Sequence, residues 1–282
     1  IKERVAMKNK KTLHLAIALA ISSMPLFSVA EANIYIGTTV GDDYTVNASA
    51  DAYPNLVGHA FGIYTNGGNA SSVTTAGDRL TLITSGQAAD GIRSNPSGNS
   101  DWQNASGTIT VSGNSADGLN INGATVLNIG KNATINTLYN GELKYSNGDT
   151  SDGAHAVRAN FHATINIGEG LTAGTLGESS HAVYAAQGRS TTNPTGGSKI
   201  NIGKGAVLST AGDGSHTVMM ASNNGKIVIE EGAEMTTLGD GSHGVAAYAD
   251  TSAKGSVANG AVEIGAGSTI ATAGGGSHGV FA

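Results

Sequence analysis

The chain has 282 residues, of which 42 are glycine, 13% are charged and only 5% are aromatic. So few large side chains exclude a thick, compact core, whereas the regular placement of valine, isoleucine and leucine excludes simple disorder. The absence of cysteine excludes a disulfide framework and a thiolate metal site. The composition therefore favours a thin, repetitive core.

The N-terminus has the pattern of a secretory signal peptide. Residues 7–32 read MKNKKTLHLAIALAISSMPLFSVAEA, in which a lysine-rich segment precedes an apolar stretch and small residues form an A-x-A pattern at its end. We predict that residues 1–32 are a signal peptide and that Met7 is the true start, with residues 1–6 upstream of it. Residues 33–282 would then form the exported domain.

The charge of the remaining chain excludes one class of partner. Removal of the predicted signal peptide takes away five of the 15 basic and two of the 21 acidic residues, which leaves a net charge of −9. An acidic surface repels phosphate backbones, and the sequence contains no basic patch. We therefore expect no nucleic-acid partner. No later apolar run is long enough for a membrane-spanning helix.

The second half of the chain is repetitive. Four segments align without gaps: GLTAGTLGESSHAV (170–183), GAVLSTAGDGSHTV (205–218), GAEMTTLGDGSHGV (232–245) and GSTIATAGGGSHGV (267–280). Three of the shared positions form a structural repeat ladder of Thr175, Thr210, Thr237 and Thr272, then Gly177, Gly212, Gly239 and Gly274, and then His181, His216, His243 and His278. Self-similarity of this kind is the signature of a repeat architecture.

Fainter copies of the repeat lie upstream. SDGAHAV (151–157) keeps a histidine, His155, whereas ADGL (116–119) and ADGI (89–92) keep the turn without a histidine. GHAFGIY (58–64) is a degenerate first copy. Most steps between copies are close to 27 residues, so the sequence predicts about eight units, the last of them incomplete.

Each unit contains short segments with period-two alternation, such as ATINIG (163–168) and SKINIG (198–203), which indicate β-strands. Three short strands in about 27 residues are typical of one coil of a parallel β-helix. A single coil cannot bury its inward side chains, whereas stacked coils bury a continuous column. We predict an all-β solenoid of about eight coils, roughly 40 Å long, in which the repeated residues form ladders.

Three polar segments break the period and are predicted to be loops: 139–151, 188–199 and 250–261. They are rich in glycine, serine, threonine and asparagine. Because loops on a rigid scaffold carry most binding functions, we expect these three to be the contact sites.

The repeated Ser-His pair has an architectural and several chemical interpretations. The architectural one is that glycine and aspartate shape a tight corner while serine and histidine bond to neighbouring coils. A metal site needs converging ligands, whereas the repeat gives an open row of imidazoles. The spacing does not match calcium-binding nonapeptides, and a hydrolase needs an orienting acid and an oxyanion hole as well. We expect no catalytic, metal or cofactor site.

β-Helices also form polysaccharide lyases and glycosidases, which need acidic and basic side chains clustered on one face. Candidates in this chain are Asp149 and Asp152 near Arg158. Trp102 in the polar segment 94–104, which is predicted to be a loop, could bind sugar. A polysaccharide-active enzyme is therefore the alternative function.

The signal peptide, the lack of cysteine and the stacked "GxGSHGV … INIGxGA … TxG" units resemble the passenger region of Gram-negative autotransporters of the pertactin-like, adhesin type. The resemblance covers 33–282 and is clearest over 105–282. It implies a right-handed parallel β-helix, export through a signal peptide, and delivery to the outer membrane by a C-terminal translocator barrel. The G-D-S-G signature of the serine-protease passengers is absent from this sequence.

The resemblance implies a protein of the cell surface, or a secreted one, that acts as a structural stalk or adhesin without catalysis. Its expected partners are host cell-surface or matrix molecules and the translocator barrel. The sequence stops at Ala282, directly after a repeat turn and without a barrel, so we expect it to be the N-terminal portion of a longer protein. A passive spacer whose loops bind nothing remains a third possibility.

Overall fold

The structure of the protein is a computed structural model. It describes residues 34–35, 39–40, 44–49, 63–65, 74–75, 79–85, 89–94, 100–102, 106–113, 115–139, 153–186, 197–222, 224–247 and 260–282. The predicted signal peptide lies outside these residues, and so does most of each predicted loop. Every regular element of the described residues is a β-strand, and none of them forms a long apolar helix that could cross a membrane.

The strands, numbered β1–β25 in chain order, form three sheets in which all pairings are parallel. Sheet A contains nine strands: β1 (Ile34–Tyr35), β4 (Ile63–Thr65), β7 (Ile92–Ser94), β10 (Leu119–Ile121), β13 (Val157–Ala159), β16 (Val183–Ala186), β19 (Val218–Ala221), β22 (Val245–Ala247) and β25 (Val280–Phe281).

Sheets B and C contain eight strands each. Sheet B consists of β2 (Thr39–Val40), β5 (Thr74–Thr75), β8 (Ser100–Trp102), β11 (Val126–Ile129), β14 (Thr164–Ile167), β17 (Lys199–Ile202), β20 (Lys226–Ile229) and β23 (Ala261–Ile264). Sheet C consists of β3 (Tyr44–Ser49), β6 (Arg79–Ser85), β9 (Ser106–Val111), β12 (Thr134–Thr137), β15 (Thr172–Thr175), β18 (Val207–Thr210), β21 (Glu234–Thr237) and β24 (Thr269–Thr272).

The chain passes through sheets A, B and C in turn, so each strand pairs with the strands three elements before and after it. This is a parallel β-helix of eight complete coils, coil 1 being β1–β3 and coil 8 being β22–β24, and β25 begins a ninth. The predicted fold class, an all-β parallel solenoid of about eight coils, is confirmed. The predicted units run from GHAFGIY to the incomplete unit at β25, so coil 1 was not among them, because it precedes the first repeat that is visible in the sequence.

One local prediction was wrong. The segment 94–104 was predicted to be a loop, but Ser100–Trp102 forms β8 and pairs with β11 through Asp101 and Asn128. Three residues are too few to show an alternating pattern. The strand is instead imposed by the coil beside it, since each coil pairs its backbone with the next one.

The core is a set of apolar columns along the helix axis. In sheet B, residues in direct register give a column of fully buried side chains: Leu127, Ile165, Ile200 and Ile227. Alternate residues of these strands point outward, and this explains the period-two pattern. Between sheets B and C, the chain turns at positive φ, through Asn132 in coil 4 and then through Gly170, Gly205, Gly232 and Gly267.

The corner between sheets A and B differs in length from coil to coil. Coils 4, 5 and 7 close it with four residues, 122–125, 160–163 and 222–225. In coils 6 and 8 the predicted loops 188–199 and 250–261 fall at this corner, and the predicted loop 139–151 falls between sheets C and A. The C–A corner carries the repeated Ser-His pair and is therefore the candidate site.

Candidate functional site

The repeated histidines form a stacked column at the C–A corner. Their ring centroids are 5.0 Å apart for the first pair, 4.9 Å for the next two pairs and 5.2 Å for the last, and the first three pairs lie within 11° of parallel. The members are His155, His181, His216, His243 and His278. The first four are buried, whereas His278 in the last turn is exposed.

Each of the first four imidazoles accepts a backbone N–H from the following coil. His181 N–H donates to Nδ1 of His155 at 3.0 Å, and His216 N–H donates to Nδ1 of His181 at 3.0 Å. The same bond joins His243 to His216 at 2.9 Å and His278 to His243 at 3.1 Å. A ring nitrogen that accepts a hydrogen bond carries no proton, so these four acceptors are neutral imidazoles protonated on Nε2.

The column continues into coils 3 and 4 with aspartate in place of histidine. Asp117 N–H donates to Oδ1 of Asp90 at 2.7 Å, and His155 N–H donates to Oδ1 of Asp117 at 2.8 Å. We call the whole series the acceptor ladder: Asp90, Asp117, His155, His181, His216, His243 and His278. The sequence contained a signal for the two aspartates, since ADGI and ADGL place them two residues before the strand, where the later copies have histidine.

The serine of each Ser-His pair bonds in the opposite direction along the rod. Ser180 N–H donates to Oγ of Ser215 at 2.9 Å, and Ser215 N–H donates to Oγ of Ser242 at 2.9 Å. Ser242 N–H donates to Oγ of Ser277 at 3.0 Å. The two adjacent amides of each turn therefore find acceptors in different coils, the serine amide in the following coil and the histidine amide in the preceding one. These side chains satisfy amides that the hydrogen bonds of the sheets do not reach at a corner.

The threonine column braces each turn within its own coil. The hydroxyl of Thr175 donates to the carbonyl oxygen of Ser180 at 2.6 Å, and Thr210 bonds to Ser215 in the same way at 2.6 Å. The hydroxyl of Thr237 donates to Ser242 at 2.9 Å. The remaining predicted member lies in β24, in register with Thr237: Thr272.

The glycine column is required by the close stacking of the turns. A Cβ atom at Gly212, Gly239 or Gly274 would overlap the carbonyl group of the glycine in the preceding coil. At Gly177 it would meet the carbonyl oxygen of Tyr139 and the Ser180 side chain. None of the four has a positive φ. In this column glycine therefore provides room for the neighbouring backbone.

The aspartates that precede the Ser-His pairs also bond between coils. Asp240 N–H donates to Oδ1 of Asp213 at 2.8 Å, and Gly275 N–H donates to Oδ1 of Asp240 at 2.7 Å. Both amides belong to the next coil, so these aspartates join coils in addition to shaping the turn.

Burial sets the electrostatics of the acceptor ladder. Loss of hydration, followed by the nearby imidazoles, lowers the pKa of the buried histidines, and for His216 to about 4. The guanidinium of Arg158 further lowers the pKa of His155 and His181. Burial has the opposite effect on the carboxyl groups, since it raises the pKa values of Asp90 and Asp117 despite nearby arginines.

The ladder does not assemble a metal site. Among the described residues, no group of three or more histidine, cysteine, aspartate or glutamate side chains is arranged to hold a metal ion. The four Nδ1 atoms already accept backbone N–H groups, and parallel rings about 5 Å apart leave their Nε2 atoms too far apart to share an ion.

The alternative function requires converging acidic and basic groups, and one such cluster exists. Arg93 lies 3.3 Å from Asp90, and Arg158 lies 3.6 Å from Asp117. Both carboxyl groups are at most 1% exposed and accept backbone amides, so this arrangement does not present them to a polymer. Asp149 and Asp152, named from the sequence, lie outside the described residues.

A shallow groove of 370 Å³ lies on the outer face of sheet B. Its polar lining consists of Asn166, Asn201, Glu169, Lys204 and Glu230. The two amides belong to an asparagine ladder, in which Asn201 Nδ2 donates to Asn166 and Asn166 Nδ2 donates to Asn128, both at 2.7 Å. Hydrogen bonding to Lys131 lowers the pKa of Glu169, and hydrogen bonding to Glu231 raises the pKa of Lys204. Both shifts move the groups away from neutral pH, so neither suits a general acid or base.

Comparison of the chain with family profiles, with curated proteins and with solved structures gives no match. Its function must therefore be inferred from the geometry of the rod and from the resemblance in repeat style.

Proposed function

We propose that the protein is a surface-displayed or secreted β-helical stalk of the autotransporter-passenger type, which presents loops to host cell-surface or matrix molecules. The observation that carries this proposal is the use of the repeated polar residues. The serine, threonine and histidine columns of the C–A corner bond to the rod itself, which supports a mechanical role for the repeat in place of catalysis.

The A–B corner supports the display part of the proposal. In coil 6, the two ends of the insertion are held together, because the hydroxyl of Ser198 donates to the carbonyl oxygen of Ala186 at 3.0 Å. Ser198 N–H also donates to Oγ of Ser222 in coil 7 at 3.1 Å. Because the coil is closed below the loop, the sequence and length of the loop can vary without a change in the rod.

Coil 7 supplies a template for testing this. Residues 222–225, Ser-Asn-Asn-Gly, close the same corner without an insertion. We would replace residues 187–198 and residues 248–260 with Ser-Asn-Asn-Gly, separately and together, and measure adhesion of the purified protein to host cells and matrix. The matched control keeps each loop at its length with its residues in scrambled order.

We expect the shortened variants to keep the strand content and unfolding midpoint of the parent and to lose adhesion, and the scrambled variants to lose adhesion as well. Adhesion that survives both changes would contradict the display role of this corner. A parent protein that binds no host surface would instead favour the passive spacer. Export by a translocator barrel belongs to the same proposal and is tested separately, by surface labelling of cells that express the full reading frame.

A further inference from the structure

We infer that the histidine part of the acceptor ladder makes the rod sensitive to acid. Below about pH 6, the contacts between coils 5–8 weaken, whereas coils 3 and 4 keep their turn bonds. The inference goes beyond the proposed stalk function and does not depend on it. It concerns how the rod responds to acidification of its surroundings.

The first argument is the state of the ring nitrogens. Nδ1 of His155, His181, His216 and His243 each accepts a backbone N–H from the next coil. Protonation of Nδ1 would place two donors face to face and remove the acceptor. A buried amide without an acceptor is costly, so each protonation opposes the contact between two coils.

The second argument is the stacking. The centroids of successive rings are about 5 Å apart, and the four rings from His155 to His243 are nearly parallel. An imidazolium ring in this column would lie directly on its neighbours, and two adjacent charges would repel each other in a site that excludes water. The imidazoles are therefore protonated readily only when the coils separate. This makes the separation of neighbouring coils cooperative.

Among the residues that the structure describes, the charged groups near the column lie at its N-terminal end or on the exposed surface of the turn. At the N-terminal end, Arg158 lies near His155 and His181, where Tyr184 packs against both rings at 4.6 and 5.2 Å. Asp117 accepts the amide of His155 and pairs with Arg158. The carboxylates of the turn are exposed and lie two residues before the serine of each Ser-His pair: Glu178, Asp213 and Asp240. At the C-terminal end, the uncharged ring of Phe281 stacks on His243 at 4.6 Å.

The direction of the pH effect follows from the pKa values. Burial lowers the pKa of His216 from 6.5 to about 4 in the folded protein, so the unfolded chain takes up protons first. Stability from this residue is complete above about pH 6.5 and is lost as the pH falls toward 4. Over that interval the folded-to-unfolded ratio falls by about two orders of magnitude for this one histidine.

The aspartate part of the ladder responds differently to acid. Asp90 and Asp117 accept the turn amides through Oδ1. A carboxyl group protonated on its other oxygen keeps an acceptor at Oδ1. Acidification therefore leaves the amides of Asp117 and His155 with their partners, and these two bonds serve as an internal control in the same molecule.

The test is residue-resolved hydrogen–deuterium exchange on the full chain between pH 7.5 and 4.5, corrected for intrinsic exchange rates. We expect the protection of the amides of His181, His216 and His243 to fall by at least tenfold more than that of Asp117 and His155. An equal change in both sets would overturn the inference.

A variant pair keeps the test decisive. His216→Asn retains an acceptor that does not titrate, whereas His216→Ala removes the acceptor. Between pH 6.5 and 4.5, we expect the folded-to-unfolded ratio of His216→Asn to fall by about 40-fold less than that of the parent. His216→Ala should lower protection at every pH. If His216→Asn retained the parental pH dependence, the histidine column would not be the sensor.

Discussion

The acceptor ladder has an aspartate part in coils 3 and 4 and a histidine part in coils 5–8, and the two meet the same backbone need with different chemistry. In both parts, a buried side chain accepts the turn amide of the next coil at 2.7–3.1 Å. The backbone of the solenoid therefore specifies an acceptor at this position and not a particular residue type.

The two parts nevertheless have opposite pH dependence. Burial raises the pKa values of Asp90 and Asp117 above 3.8, so the stability they contribute is present at low pH and is lost as the pH rises through the raised values. Burial lowers the pKa values of the histidines, so their contribution is lost as the pH falls below about 6.5. Acid therefore favours one end of the ladder and opposes the other.

The largest expected effect comes from breaking the stacking of turns in the histidine part. Gly239→Ala would place Cβ against the carbonyl group of Gly212, where only backbone could yield. We expect a loss of about 3 kcal/mol or more, measured by urea unfolding at pH 7.5.

The matched control is Gly241→Ala in the same turn, where Cβ would enter open space but φ is +65°. Its expected loss is about 1 kcal/mol, from backbone strain alone. Equal losses for the two variants would mean that close stacking does not limit this position.

The next effect comes from removing one acceptor. His216→Ala leaves the amide of His243 without the partner that it has at 2.9 Å. We expect a loss of about 2–3 kcal/mol at pH 7.5. His216→Asn should recover most of this loss. Equal stability of His216→Ala and His216→Asn would show that the acceptor atom does not matter and that the histidine ring contributes only by its volume.

A smaller effect is expected in the aspartate part of the ladder. Asp117→Asn keeps an oxygen for the amide of His155 but removes a buried ionisable group beside Arg158. Relative to the parent, the variant should gain about 1 kcal/mol as the pH rises from 7 to 9, because it has no carboxylate to bury. Parallel stability curves over this range would contradict the raised pKa.

The smallest effect is expected on the outer surface of the rod, away from both parts of the ladder. Lys204 pairs with Glu231 at 2.5 Å, but both side chains are 59% exposed. Exposed pairs contribute little to stability, so Lys204→Ala should leave the unfolding midpoint unchanged within error. A clear decrease in the midpoint would mean that this ion pair between coils stabilises the rod.

Much of the fold could be predicted from the sequence, because alternation and repeated glycines are local signals. The strands around ATINIG and SKINIG were recognisable in this way. The strands β1 and β8 were not, since two or three residues show no period and their pairing depends on distant parts of the chain. Pairing across coils is a non-local property that a short window does not contain.

The candidate site was predictable only in part, for a similar reason. Alignment identified the histidine column by identity, but Asp90 and Asp117 perform the same bond with a different side chain. Identity of residue type therefore underestimates the ladder, whereas its fixed offset from the following strand reveals all seven positions. The opposite directions of the serine and histidine bonds depend on side-chain geometry and could not be inferred from spacing.

Side-chain ¹⁵N NMR at pH 7.5 reports directly which ring nitrogen of each ladder histidine carries the proton. We expect His155, His181, His216 and His243 to be neutral, with a proton on Nε2 and an unprotonated Nδ1 that accepts a backbone hydrogen bond. Imidazolium forms, or a proton on Nδ1 in these residues, would contradict the acceptor ladder and with it the architectural role of the Ser-His repeat.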